Sequence, residues 1–355
     1  MYTGKVASIL AFLILLSISS SLSSVSSSNA ISSAGSIRYP PIGNSSLLAG
    51  MDTEDQSANT ATLDRFKNDG LLYLMPRIYW NQIEPTSRGS YSTSAINAWK
   101  AYMQACQDRG IHVSICFWNQ FQSGAEIPGW AKTAYGSSPF IIAENTNART
   151  DWLNMMAWVV GQLQGYTCID SWQPNNEPYF STTTQKNGFI ALFPLERQTI
   201  LANDPSTRPI VSHFCASHCP GSGQYPDSVY DSFDIIGITT YNHYDTYNQA
   251  DARTDPTVYN SKWWMVKETA IDAIALGKDM WVVEFGCASN DAGWGSITDA
   301  TWTAHYNGVL SIYDTLGVKR AYAWVWRTSS STSEAFNLWT GRTVRPAYNE
   351  LLHYP

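Results

Sequence analysis

The sequence predicts an α/β fold, a closed (β/α)8 TIM barrel, on three observations. Short apolar runs of β type recur eight times between residues 47 and 324, and helical patterns separate them. The chain has 355 residues, 44% of them hydrophobic, enough for one barrel domain of roughly 250–320 residues. The first run, Leu47–Met51, is followed by Asp52-Thr53-Glu54. An open dinucleotide-binding sheet needs a G-x-G-x-x-G turn at that place.

The elements follow in chain order. Lys5 precedes an apolar run from Val6 to Ile18, and Ser28 and Ala30 flank Asn29. A charged residue, an apolar stretch and a small-residue cleavage site make residues 1–30 an expected secretory signal peptide. The run is short of the ~20 residues of a membrane span. An exported, secreted protein is therefore expected, or a cell-surface one if the segment is retained as an anchor, with no other span. Residues 31–40 are a Ser-rich linker, and 41–355 form the single catalytic-size domain. The expected strands are Leu47–Met51, Leu71–Arg77, His112–Phe117, Ile169–Gln173, Ile210–His213, Ile235–Thr239, Met280–Val283 and Arg320–Trp324. The expected helices are Thr60–Asn68, Ala95–Gln107, Thr150–Gln164, Phe189–Ala202, Lys262–Leu276, Asp299–Leu316 and Ala347–Leu352. Between the fifth and sixth strands, Pro226–Phe233 holds little more than one helical turn.

Composition narrows the function. The net charge is −7, only 14% of residues are charged and no basic stripe exists, so no nucleic-acid partner is expected. The 15 Trp and 20 Tyr exceed what a core alone needs and suit surfaces that stack on flat apolar ligand faces. H-E-x-x-H, Walker and G-x-S-x-G motifs are absent from the sequence. The six cysteines are too few to frame a domain of this size. His213, Cys215, His218 and Cys219 are all metal-ligand types, but four within seven positions are crowded for a structural zinc site. No metal and no cofactor is expected, and the protein is expected to be a monomer.

In such barrels the chemistry sits at the C-terminal ends of the strands. The fourth run ends at Gln173, and Glu177 follows within a few residues; the seventh, "MWVVEFG", ends on Glu284. Strands four and seven face each other across an eight-stranded barrel, so both carboxylates aim at one gap. Two such groups are what glycoside hydrolysis uses: one protonates the leaving oxygen, the other attacks or activates water. Arg77, at the end of the second run, is a candidate cation to keep Glu284 ionised. Trp80, Trp118, Trp130 and Trp294 lie where they would line a cleft, and Asn119 and His243 are polar loop residues near strand ends.

With Asn176-Glu177-Pro178, a strand-end Glu284 about one hundred residues on and Arg77 after the second strand, the sequence resembles a clan of retaining glycoside hydrolases. These share a (β/α)8 barrel with both glutamates on strands four and seven; family 5, with cellulases and β-mannanases, is its best-known member. The resemblance runs from about residue 45 to the end. It implies that Glu284 is the nucleophile, Glu177 the acid/base and Asn176 the contact to the sugar 2-hydroxyl. It places Tyr241 beside the nucleophile. It makes Trp324, in "AYAWVWR", the floor under the reacting sugar, with Trp326 next on the same strand face. The sequence departs from family 5 where Trp118 replaces a histidine after strand three and Thr239 replaces one before Tyr241. The resemblance implies a double displacement with carboxyl groups about 5–5.5 Å apart. The expected substrate is a poly- or oligosaccharide, favoured as β-1,4-linked cellulose or mannan cleaved by endo action. An exo-β-glycosidase and a non-catalytic sugar-binding barrel are the alternatives.

Overall fold

In the computed structural model the first strand, β1 (Leu48–Glu54), leads into helix α1 (Thr60–Asp69). The structure describes residues 46–54, 59–118, 124–215, 218, 222–241, 262–286, 298–326, 338 and 344–355. There follow β2 (Tyr73–Tyr79), α2 (Trp80–Ile83), α3 (Thr93–Gln107), β3 (His112–Trp118), α4 (Gly129–Tyr135), α5 (Ile141–Glu144), α6 (Thr146–Leu163) and β4 (Ile169–Gln173). The second half holds α7 (Thr183–Asn203), β5 (Phe214–Cys215), a 3-10 turn (Asp227–Ser232), β6 (Ile235–Tyr241), α8 (Lys262–Ala275), β7 (Asp279–Gly286), α9 (Asp299–Thr315), β8 (Arg320–Ala323) and α10 (Tyr348–Leu351).

Local chemistry sets the helix ends. The side chains of Asn59, Ser92 and Asn145 accept from the free N–H groups of the first turns of α1, α3 and α6. Thr182 and Gln185 form a reciprocal capping box at the start of α7. Gly70, at φ 83°, ends α1 in the left-handed conformation. The short helices α2, α4 and α5 were not expected, because periodicity needs a window of about 11–18 residues to register. Among the described residues no helix is long and apolar enough to cross a membrane.

All strand pairs are parallel, in the order β4-β3-β2-β1-β8-β7-β6-β5. The seam between the ends of this order is closed by two single bridges, Trp172 to Ile210 and Val211 to Ile235. The expected fifth strand, Ile210–His213, is thus corrected: its first residues bridge β4 and β6, and continuous pairing begins only at Phe214. The cause is Ser212. Its hydroxyl accepts from the Gly237 N–H at 2.8 Å and donates to the Gly237 carbonyl at 3.1 Å, so a side chain takes the place of the ladder at that level.

Gly237 is required there, since a Cβ would sit 2.0 Å from the Ser212 carbonyl oxygen. Gly237→Ala is expected to destabilise the fold by about 1–3 kcal/mol or more, as overpacking does, and to do so at the seam. Thermal unfolding with hydrogen exchange at residues 210–213 checks this; an unchanged melting temperature would contradict it.

Alternation along the strands sorts the side chains. Met75, Cys116, Val211, Trp281, Val283 and Tyr322 fill the barrel interior, while residues such as Leu74, Ile115 and Val282 join the layer under the helices. Toward the N-terminal end of the barrel, Arg320 bonds Asp170 at 2.6 Å between the rings of Tyr73 and Trp281. At the opposite end the alternation breaks usefully. In β7 the register shifts between Val282 and Phe285, so Val283 and Glu284 together oppose one residue of β8. This bulge lets two successive residues both face inward, Val283 into the core and Glu284 above it.

Candidate active site

Glu284 is buried, 4% exposed, at the C-terminal end of β7. Its Oε1 accepts from Arg77 Nη2 at 2.6 Å and from His213 Nε2 at 3.1 Å; its Oε2 accepts from the Tyr241 hydroxyl at 2.6 Å. Burial alone would raise its pKa, but Arg77, His213 and Tyr241 outweigh this and hold the carboxyl well below the usual carboxylate range. Arg77 is itself fixed from two sides. It bonds the buried Asp52 of β1, and its guanidinium lies 3.7 Å over the Trp118 ring of β3. Burial lowers the pKa of His213 against the opposing pull of Glu284. Burial, then Glu284, pushes the Tyr241 phenol well above its ordinary value, so it remains a donor.

His213 extends the network inward. Its Nδ1 lies 2.8 Å from the Gln173 amide, which reaches Ser114 at 2.7 Å, and Ser171 reaches the same hydroxyl at 2.7 Å. Two strands, β3 and β4, therefore steady one imidazole behind the carboxylate.

Glu177 lies in the segment after β4 and is half-buried. Its φ of 44° is left-handed, which a non-glycine residue adopts at a cost of about 1–2 kcal/mol. Its backbone N–H donates to the His213 carbonyl at 2.7 Å, which holds the turn. The Thr239 hydroxyl donates to Glu177 Oε1, and Thr239 is the register partner of Glu284. One β6 residue thus bonds the Glu177 carboxyl and lies beside Glu284 in the sheet. Asn176, next to Glu177 in the chain, is 3% exposed, and its Oδ1 is buried with no hydrogen-bond partner among the described residues. Trp324 is half-buried and meets Tyr241 edge-on at 5.7 Å; the Trp324–Val325 peptide is cis.

The structure brings Glu177, Asn176, Glu284, Arg77, Tyr241, Trp118 and Trp324 together. Two expected sugar contacts are corrected. Trp80 is 1% exposed, because α2 starts at it and turns it between Trp130 and Trp152, with its N–H on Glu84 at 2.8 Å. Trp326 is 3% exposed and packs on Phe66 and Tyr348 beneath α1 and α10. Asn119, His243 and Trp294 lie outside the described residues. Sequence reasoning missed Asp52, His213 and Thr239 as members of this site. His213 ends an apolar run, the same signal that marked Glu284, but its neighbours Cys215 and His218 drew it into a metal-ligand reading. His213 turns to Glu284 instead, while Cys215 Sγ and His218 Nδ1 meet at 3.2 Å, and Cys219 lies outside the described residues.

No family model and no curated protein matches the sequence. Solved structures do. An endo-β-1,4-mannanase from Thermotoga petrophila superposes with TM-score 0.66 at 12% identity, over 86% of this chain and 76% of that one. Endo-glycoceramidase II from Rhodococcus sp. gives 0.62 at 16% identity, over 86% and 78%. An exo-β-1,4-mannosidase from Opitutaceae bacterium strain TAV5 gives 0.68 at 12% identity, over 91% and 62%. The chain has the (β/α)8 barrel fold of these proteins.

Proposed function

We propose that the protein is a retaining β-glycoside hydrolase with Glu284 as nucleophile and Glu177 as acid/base. The observation that carries this reading is the arrangement of two carboxylates at opposed strand ends. Glu284 is held ionised by Arg77, His213 and Tyr241, while Glu177 is half-open to the same space and tied across it by Thr239. A buried carboxylate with three donors is too costly to serve as mere filling.

The hydrogen bonds support one reading of the atoms. Oε1 of Glu284 spends both lone pairs on Arg77 and His213, whereas Oε2 has Tyr241 alone, so Oε2 attacks the anomeric carbon. As that bond forms, the bond to the leaving oxygen breaks and Glu177 gives that oxygen its proton. Water then adds to the anomeric carbon, returns a proton to Glu177 and releases Glu284. The unpartnered Oδ1 of Asn176 accepts from the 2-hydroxyl, a bond that strengthens as charge develops. Trp324 supplies an apolar surface beside Tyr241 for the sugar face, and Trp118 another beside Arg77.

The substrate we favour is a β-1,4-linked polysaccharide such as cellulose or mannan, cut internally, and the site of action is outside the cell after export through residues 1–30. Half-buried aromatics near the strand ends, Trp118, Trp130 and Trp324, favour a polymer. The test is to follow an aryl β-glycoside by proton NMR, where the β-anomer is expected to appear first. First appearance of the α-anomer would overturn retention, and no hydrolysis of any glucan, mannan, xylan or aryl glycoside would overturn the enzyme reading.

A further inference from the structure

Glu196 is a buried carboxyl that this mechanism does not use. It lies on α7, outside the barrel wall, and is fully buried. Its Oε1 accepts from the Trp152 N–H at 2.9 Å and its Oε2 from the Asn175 side-chain amide at 2.8 Å. Burial pushes it up to about 8, against the pull of those two bonds and of Arg149. A carboxyl placed there at such a cost needs a reason.

Its second partner supplies one. Asn175 is fully buried and immediately precedes Asn176 and Glu177. The turn they form is irregular, carries the left-handed Glu177 and has few holds. Among the described residues those are the Glu177 N–H on the His213 carbonyl, the Tyr225 hydroxyl on the Pro178 carbonyl at 3.3 Å, the Cys116 thiol on the Asn175 carbonyl at 3.7 Å, the Thr239 hydroxyl on the Glu177 carboxyl, and the Asn175 amide on Glu196. Of these, the last is the one that holds the turn by its own side chain ahead of the two residues that would meet substrate.

We propose that Glu196 is a positioning residue that sets the place of Asn176 and Glu177 through its hydrogen bond to Asn175. The proposal rests on the glycosidase reading above. A displacement of about 1 Å in a reacting group costs on the order of 100-fold, and here it falls most heavily on proton donation by Glu177. The carboxyl acts through its hydrogen-bonding shape and not its charge. The Asn175 Oδ1 is buried and unpaired, so an amide at position 196 has both an acceptor and a donor to meet after the Asn175 amide turns over.

The experiment compares two β-glycosides of a sugar the wild type accepts. One carries a 2,4-dinitrophenolate leaving group that departs without a proton, the other an unactivated alcohol that needs one. In Glu196→Leu the ratio of kcat/KM for the first to that for the second is expected to rise at least about tenfold, within the range that general-acid catalysis contributes. In Glu196→Gln it is expected to stay within about threefold of wild type. Asn175→Ala cuts the same bond from the other side and is expected to reproduce the Leu result should Glu196→Leu not fold. An unchanged ratio in Glu196→Leu and Asn175→Ala, with only a lower melting temperature, would overturn the proposal, as would a Gln variant as impaired as the Leu one. Failure of the wild type to cleave a β-glycoside of any sugar tried refutes the glycosidase reading instead.

Discussion

Glu284→Ala is expected to lower kcat on an aryl β-glycoside by about 10⁴-fold or more, the scale on which loss of a covalent nucleophile acts. The loss is chemical and not structural. Arg77 keeps its bond to Asp52 and its stacking on Trp118, so its charge does not become an orphan when the carboxylate is removed. His213 keeps Gln173. The melting temperature is therefore expected to fall far less than for removal of the cation. The side chain also leaves a space at the anomeric carbon, which small anions can enter. Azide is expected to restore turnover and to give the α-glycosyl azide, because it attacks from the face that Glu284 used. Rates within tenfold of wild type, or a β-configured azide product, would remove Glu284 from the role of nucleophile.

What the sequence exposed and what it hid follow from the physics of each element. β4 matched the expected Ile169–Gln173 because a β-type run between turn residues is a purely local signal. The fifth strand did not match, because its pairing is interrupted by one serine hydroxyl that meets Gly237, a contact 25 residues away. Glu284 was legible as a carboxylate ending an apolar run. The bulge that turns it inward beside Val283 was not, since it exists only in the register with β8. The tryptophans show the limit most plainly. Trp324 and Trp326 share a strand face in simple alternation, yet the chain leaves β8 at Ala323, and Trp326 turns under α1 while Trp324 remains beside Tyr241. Nothing local in the sequence explains Asn175; its partner, Glu196, lies 21 residues on, on the α7 helix.

Arg77→Met is expected to have the largest effect on stability, about 3–5 kcal/mol at neutral pH, because it removes the cation from a buried ionic group and leaves its carboxylates uncompensated. Methionine retains an apolar stem against Trp118, so the loss reports charge more than packing. Asp52 and Glu284 both lose their bond to the guanidinium, and of its partners among the described residues Glu284 retains His213 and Tyr241. The pH dependence has a definite sign. In the wild type the pKa of Glu284 is depressed on folding, so its ionised form contributes stability above the unfolded value of about 4.3. That contribution is lost as pH falls through the lower folded value. In Arg77→Met the leading cause of the depression is gone, so the gap between wild type and variant is expected to be full at pH 7 and narrower at pH 3. The same shift raises the acid limb of the kcat/KM profile, and kcat/KM at its optimum is expected to fall by about 100-fold, as when one preorganised electrostatic partner is removed. Urea unfolding at the two pH values decides the matter. A gap of equal size at pH 3 and pH 7 would mean that Arg77 acts by packing, and that the ionised state of Glu284 is maintained by His213 and Tyr241 alone.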